Sequence, residues 1–292
     1  MASKKRVICG LSVAAVWLLA IFVLPFCALA GLVMLSALVC VYEYCAMLKK
    51  AGYVVPLKTL IAASVLWFLW AYVRGPSLVT HPMTLLIAGG LGGLLFLRVL
   101  LDRRIAKPME TAAFTVCGFF YLPFMLSFFL LVAMCPWSGA AGYSAGIFLA
   151  FFIALIIKMS DTGGYFIGSA YGKHKLSPRL SPGKSWEGVA GGIVFALAVT
   201  VLTLVAAQQC DANFLNAFRQ FDTPFRMAWL FVGVIITVVV GIFGDLLESL
   251  FKRACGVKDS SALFPAMGGF FDTFDSLIFA PATFLAWVWL MP

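Results

Sequence analysis

Charge is scarce in this chain. Asp, Glu, Lys and Arg make up 11% of its 292 residues, where an ordinary soluble domain carries about 25%. That shortage excludes a soluble globular enzyme, and a hydrophobic content of 63% excludes a disordered chain. Cysteine is present but shows no metal-type pairing. Cys9, Cys27, Cys40, Cys45, Cys117, Cys135, Cys210 and Cys255 fall mostly in apolar runs and read as small buried hydrophobes. Cys135 and Cys210 fall at the expected outer side, but nothing in their spacing pairs them. There is no internal repeat of fixed period and no low-complexity tract. No small-x-small cleavage site follows Lys4, Lys5 and Arg6, so the first apolar run is expected to be a retained helix and not a signal peptide.

What the chain has instead is long apolar runs and 28 phenylalanines, a composition suited to lipid contact. A membrane-spanning helix needs about 20 apolar residues. Runs of that size lie at about 7–24, 27–47, 56–73, 82–101, 111–134, 144–167, 187–207, 227–249 and 270–290. The expected fold is an all-α polytopic membrane protein of about nine spans, with the N-terminus in the cytoplasm. The break between the first two runs rests on Pro25; the alternative is one kinked helix and eight spans. With nine crossings, only Arg74, Arg219 and Arg226 of the 21 Lys and Arg fall outside, as the positive-inside rule requires. Residues 1–140 are expected to form an N-terminal region of about five spans, and 141–292 a catalytic region with cytoplasmic loops. The acids follow that division: up to residue 150 there are only Glu43, Asp102 and Glu110, of 12 in all. Gly89-Gly90 and Gly92-Gly93 predict close helix packing in the fourth span.

Ionisable groups near membrane depth are costly and mark function. Three clusters qualify, all on the expected cytoplasmic side. The first is Lys158, Ser160-Asp161-Thr162-Gly163-Gly164 and Tyr165. Asp-Thr-Gly occurs in aspartic proteases, but no second copy exists here and the setting is membranous. A helix cap or a solvated helix end is the plainer alternative. The second cluster gathers Lys173, His174, Lys175, Arg179 and Lys184 in a loop shaped by Gly, Ser and Pro. Cations with free backbone N–H groups make an anion cradle, although the Walker spacing is absent. A plain positive-inside loop would look similar.

The third cluster runs from Gly244 to Ser276. On a helix, Asp245, Glu248, Ser249 and Lys252 share one face, and so do Asp272 and Asp275. Like charges so placed repel by about 0.2–0.5 kcal/mol even on an exposed helix. A hard cation such as Mg²⁺ offsets this through oxygen ligands shared with phosphates; a helix N-terminus would also favour Asp272 and Asp275. Carboxylates for a metal, cations for phosphates and an opening to the inner leaflet point to phosphoryl or nucleotidyl transfer at a membrane surface. An intramembrane prenyltransferase, a polyprenol-type lipid kinase and a non-catalytic scaffold or transporter are the competing classes. For the prenyltransferase, Asp245-x-x-Glu248 is a poor Asp-rich motif.

Two stretches carry a family resemblance. One is Gly244-Asp245-Leu246-x-Glu248-Ser249-x-x-Lys252-Arg253, followed by Lys258-Asp259, Pro265, Gly268-Gly269, Asp272 and Asp275-Ser276. The other joins Ser160-Asp161-Thr162-Gly163-Gly164-Tyr165, Gly172-Lys173, Ser181, Lys184 and Glu187-Gly188. Together they resemble the signature of the phosphatidate cytidylyltransferases, also called CDP-diacylglycerol synthases. The resemblance implies the reaction CTP + phosphatidate → CDP-diacylglycerol + pyrophosphate. It also implies an inner (plasma) membrane location with the site facing the cytoplasm, a Mg²⁺ centre with K⁺ as a candidate second ion, and a homodimer. By position, Asp245, Asp272 and Asp275 match the metal-centre aspartates and, with Lys252 and Asp161, the catalytic set. Lys184, Arg253, Lys258, Asp259, Ser249, Glu248, Tyr165 and Lys173 are carried over as substrate-binding positions. The family commonly has His where Met267 stands and Arg where Thr273 stands. Those two departures raise a catalytically impaired homologue as a further alternative.

Overall fold

The computed structural model describes residues 15–21, 23–135, 143–210, 212–264 and 268–291. Among them, seven helical segments are long and apolar enough to cross a membrane. After a short helical stretch over residues 15–21, they begin with α1 (Phe26–Lys50), α2 (Leu57–Arg74) and α3 (Pro82–Leu100). The fourth combines α4 (Pro108–Phe119), a π-helical turn (Phe120–Phe124) and α5 (Phe128–Met134). Next come α6 (Ser144–Tyr171), α7 (Trp186–Gln209) and α8 (Pro224–Ala254). Between α6 and α7 stands an antiparallel hairpin of β1 (Lys175–Ser177) and β2 (Ser181–Ser185). This is an all-α, multi-pass membrane protein.

The helix limits follow local chemistry. Pro25 precedes α1 in an extended conformation, and residues 23–25 are not helical, so the chain breaks where that proline predicts. Proline also opens α3 and α4, where its missing N–H costs no helical bond. Pro123 lies inside the π-helical turn, whose wider winding accommodates a residue that cannot donate. Half of the first expected span, 7–24, falls outside the described residues. The last, 270–290, is not one helix: it divides into α9 (Phe270–Phe274), a 3-10 turn (Asp275–Leu277) and α10 (Ala280–Trp289).

The chain separates into two compact units: residues 1–131 with 251–274, and residues 132–250 with 275–292. In the first, Trp67 is fully buried, stacks on Phe124 with centroids 4.9 Å apart and donates its indole N–H to Ser127 Oγ at 3.0 Å. Tyr44 meets Phe251 and Phe271 edge-on. In the second unit, α6 and α7 pack backbone to backbone. A Cβ on Gly163 would stand 2.8 Å from the Gly191 carbonyl oxygen, one on Gly188 2.9 Å from that of Gly164, and one on Gly192 2.8 Å from that of Ser160. Glycine-mediated approach therefore occurs here and not where Gly89 and Gly90 predict it. Those two and Gly93 have open space around them, and Gly92 meets only the Phe120 ring. A glycine pair permits close packing but does not supply the second helix. Trp229 of α8 and Trp287 of α10 stack 4.4 Å apart, and each indole N–H donates to the other's backbone carbonyl, at 3.1 and 2.8 Å.

Candidate active site

In the second unit, three elements bring acids and cations together. On α8, one helical turn separates Asp245 from Glu248. The 3-10 turn then returns Asp275 to the same place, so that ligand oxygens of Asp245, Glu248 and Asp275 lie within 4.8 Å of one another. Two glycines of α8 permit the approach. A Cβ on Gly244 would stand 2.7 Å from the Asp275 carbonyl oxygen, and one on Gly241 3.0 Å from that of Ser276. The glycine of the Gly244-Asp245 pair thus has a physical reason. Glu248 is fully buried and Asp275 nearly so.

The β-hairpin supplies a cation: Lys184 Nζ lies 2.6 Å from Asp245 Oδ2. Ser185 ends β2 and caps α7, its hydroxyl accepting the Gly188 N–H at 3.1 Å. Glu187 in the first turn of α7 holds the start of the loop, accepting the Lys173 and His174 backbone N–H groups and meeting His174 Nδ1 at 2.6 Å. In the second half of α6, Lys158 Nζ lies 3.4 Å from Asp161 Oδ2, and the Ser276 hydroxyl stands 3.3 Å from that oxygen and 3.4 Å from Nζ. Ser249 Oγ is 3.5 Å from Asp245 Oδ1.

The first unit holds a second polar centre. Gly256, at φ +68°, ends α8, and the Val257 N–H returns to the Lys252 carbonyl at 2.9 Å. The chain then folds back so that Lys252 Nζ meets Asp272 Oδ1 at 2.7 Å. Asp272 Oδ2 accepts the Ser260 N–H at 2.9 Å, the Ser260 hydroxyl at 2.7 Å and the Gly269 N–H at 2.6 Å. Gly268 adopts φ +92°, and a Cβ there would stand 2.5 Å from Asp272 Oδ2. Reciprocal backbone bonds between Phe264 and Gly268 close the loop. Thr273, in place of the family's Arg, donates to the Gly269 carbonyl at 3.3 Å. Met267 lies outside the described residues.

The expected site residues therefore divide. Asp161, Lys184, Asp245, Glu248, Ser249 and Asp275 gather in one unit. Lys252 and Asp272 pair in the other. Tyr165, Lys173, Arg253, Lys258 and Asp259 are exposed, with Arg253 donating to the Val257 carbonyl. Glu248, expected among substrate contacts, belongs to the acid group that could hold a metal ion. Asp272, expected among the metal ligands, has its oxygens engaged by Lys252, Ser260 and Gly269. Sequence reasoning missed Ser260, Ser261 and Glu43. Glu43 is buried in α1 and accepts bonds from the segment that leads to Asp272. A lone acid within an apolar helix was the available signal.

The cytidylyltransferase family matches residues 4–291. Similar proteins include the phosphatidate cytidylyltransferase of Haemophilus influenzae, 41% identical over 132 residues that cover 45% of this chain and 42% of that protein. That of Pseudomonas aeruginosa is 38% identical over 165 residues, 55% of each chain. These two matches span about half the length of those relatives. That of Mycobacterium leprae is 30% identical over 264 residues, 85% of this chain and 75% of that protein. With nearly its whole length matched, the chain belongs to the cytidylyltransferase family.

Proposed function

We propose that this protein transfers the cytidylyl group of CTP to phosphatidate, giving CDP-diacylglycerol and pyrophosphate, at the cytoplasmic face of the inner membrane. The observation that carries the reading is the convergence of Asp245, Glu248 and Asp275 within 4.8 Å, with Lys184 2.6 Å from Asp245. An all-oxygen, carboxylate-rich donor set fits a hard divalent ion such as Mg²⁺. Asp245 and Asp275 would hold it, with Glu248 beside them, and K⁺ is the proposed second ion. When bound, the ion supplies charge neutralisation at the phosphate oxygens.

A phosphate oxygen of phosphatidate attacks the α-phosphorus of CTP. The bond from that phosphorus to the bridging oxygen breaks, and its electron pair leaves with pyrophosphate. Lys184 is suited to hold a phosphate once it leaves Asp245, and Lys252, oriented by Asp272, to offset charge on the leaving group. Asp161 orients Lys158 and Ser276. Tyr165, Lys173, Arg253, Lys258 and Asp259 are exposed enough to meet substrate directly. No covalent enzyme intermediate is required.

The test is nucleotide dependence. Purified protein is given phosphatidate, Mg²⁺ and, in turn, CTP, ATP, GTP or UTP, and the lipid product is identified. CDP-diacylglycerol formed from CTP alone is expected. Prenyl transfer, or phosphorylation of a polyprenol without CDP-diacylglycerol formation, would overturn the reading.

A further inference from the structure

Glu43 belongs to neither stretch of the family signature, yet it is one of the most heavily engaged carboxylates among the described residues. It lies in the second half of α1 and is 3% exposed. All its described partners come from one segment far along the chain. Ser261 Oγ donates to Oε1 at 2.6 Å, and the Phe270 N–H to the same oxygen at 3.0 Å. The Phe271 N–H donates to Oε2 at 2.7 Å, and the Ser260 hydroxyl stands 3.0 Å from Oε2. Burying a carboxylate costs several kcal/mol unless bonds of this kind compensate it. An apolar residue at this place in α1 would avoid the cost altogether, so the carboxylate points to a connection and not to helix stability.

The connection leads to Asp272. The Ser260 hydroxyl stands between the two carboxylates, 2.7 Å from Asp272 Oδ2 and 3.0 Å from Glu43 Oε2. It has one proton and serves one acceptor at a time. Gly269, whose N–H donates to Asp272, passes so close to Glu43 that a Cβ would stand 2.5 Å from Oε2 and overlap the Ser260 hydroxyl. The described donors to Asp272 Oδ2, on Ser260 and Gly269, therefore sit on the segment that Glu43 holds. Asp272 Oδ1 in turn receives Lys252 Nζ.

We propose that Glu43 is a positioning residue for the transfer reaction: it clamps segment 260–271 to α1, so that Ser260 and Gly269 fix Asp272 and, through it, the Lys252 ammonium. This rests on the proposed cytidylyl transfer. Misplacement of a reacting group by about 1 Å can cost about 10²-fold in rate, so the clamp acts on turnover more than on substrate affinity.

The experiment compares Glu43→Gln with the parent in detergent micelles, measuring kcat, KM for both substrates and amide exchange over 260–274. Gln keeps the shape but turns one acceptor oxygen into a donor facing other donors. The expected result is a kcat per folded enzyme reduced about ten- to a hundredfold, each KM within about twofold of the parent, and faster exchange at Phe270 and Phe271. Glu43→Asp keeps the charge and is expected to recover part of kcat. A kcat per folded enzyme equal to the parent's, with only the yield of folded protein reduced, would overturn the proposal. If Glu43→Gln does not fold, Ser261→Ala decides: it removes one bond to Glu43, and an unchanged kcat with unchanged exchange would overturn the clamp. A parent that makes no CDP-diacylglycerol would refute the transfer reading alone, because exchange at Phe270 and Phe271 still tests the clamp.

Discussion

Lys184 and Asp245 each keep 25% of their side-chain surface exposed at a separation of 2.6 Å. Such a pair is held firmly enough to persist and loosely enough to be exchanged for a phosphate. For Lys184→Ala we expect KM for CTP or phosphatidate to rise roughly tenfold, the size of one charge-assisted bond of about 1.5 kcal/mol. An unchanged KM for both substrates would remove the lysine from binding. Asp245→Asn and Asp275→Asn are expected to lower kcat by about 10²-fold or more while the helices form as before, since each removes a charge aimed at the reacting phosphates. Initial rates with CTP, alongside circular dichroism, check both halves of that statement. Asp272→Asn differs in kind. It removes the charge from one side of an ion pair whose members are only 13% and 9% exposed, and breaking a buried pair costs about 3–5 kcal/mol. Its midpoint of thermal unfolding should therefore fall together with its activity.

At the scale of helices, glycine position matters more than glycine number. Gly192→Ala would place a methyl group 2.6 Å from Ser160 Oγ and 2.8 Å from the Ser160 carbonyl oxygen, and overpacking of this kind costs about 1–3 kcal/mol. Gly90→Ala meets nothing and should be neutral or stabilising by about 0.5–1 kcal/mol, because alanine restricts the unfolded chain more than glycine does. Thermal unfolding of the two variants, measured side by side, checks the contrast; equal midpoints would contradict the packing described. Most of this architecture was legible in the sequence. Apolar runs fixed seven helices to within a few residues, because hydrocarbon thickness sets their length, and Pro25 marked a real break. The interruption at Asp275–Leu277 was not legible, since hydropathy reports composition and the residues after Asp275 are mostly apolar. The shared face of Asp245 and Glu248 followed from spacing. The attachment of Glu43 did not: among its partners are the backbone N–H groups of Phe270 and Phe271, which no side-chain pattern announces.

For the molecule as a whole, the distribution of lysine and arginine makes a prediction about sidedness. Cys210 follows α7 and Cys255 follows α8, so a single crossing of α8 separates them. The charge bias assigns Cys210 to the outside and Cys255 to the cytoplasm. In variants keeping one of these cysteines, an impermeant thiol reagent should label Cys210 in intact cells and Cys255 only after permeabilisation; the reverse pattern would invert the orientation. The two tryptophans that face each other across α8 and α10 add an experimental handle. Stacked indoles 4.4 Å apart couple their electronic transitions, so the pair should give a paired band in the near-ultraviolet dichroism spectrum that disappears in Trp287→Phe. Because α10 follows directly from the turn carrying Asp275, that signal is an intrinsic optical gauge of whether the chain's end is seated, readable in detergent or lipid without any added dye.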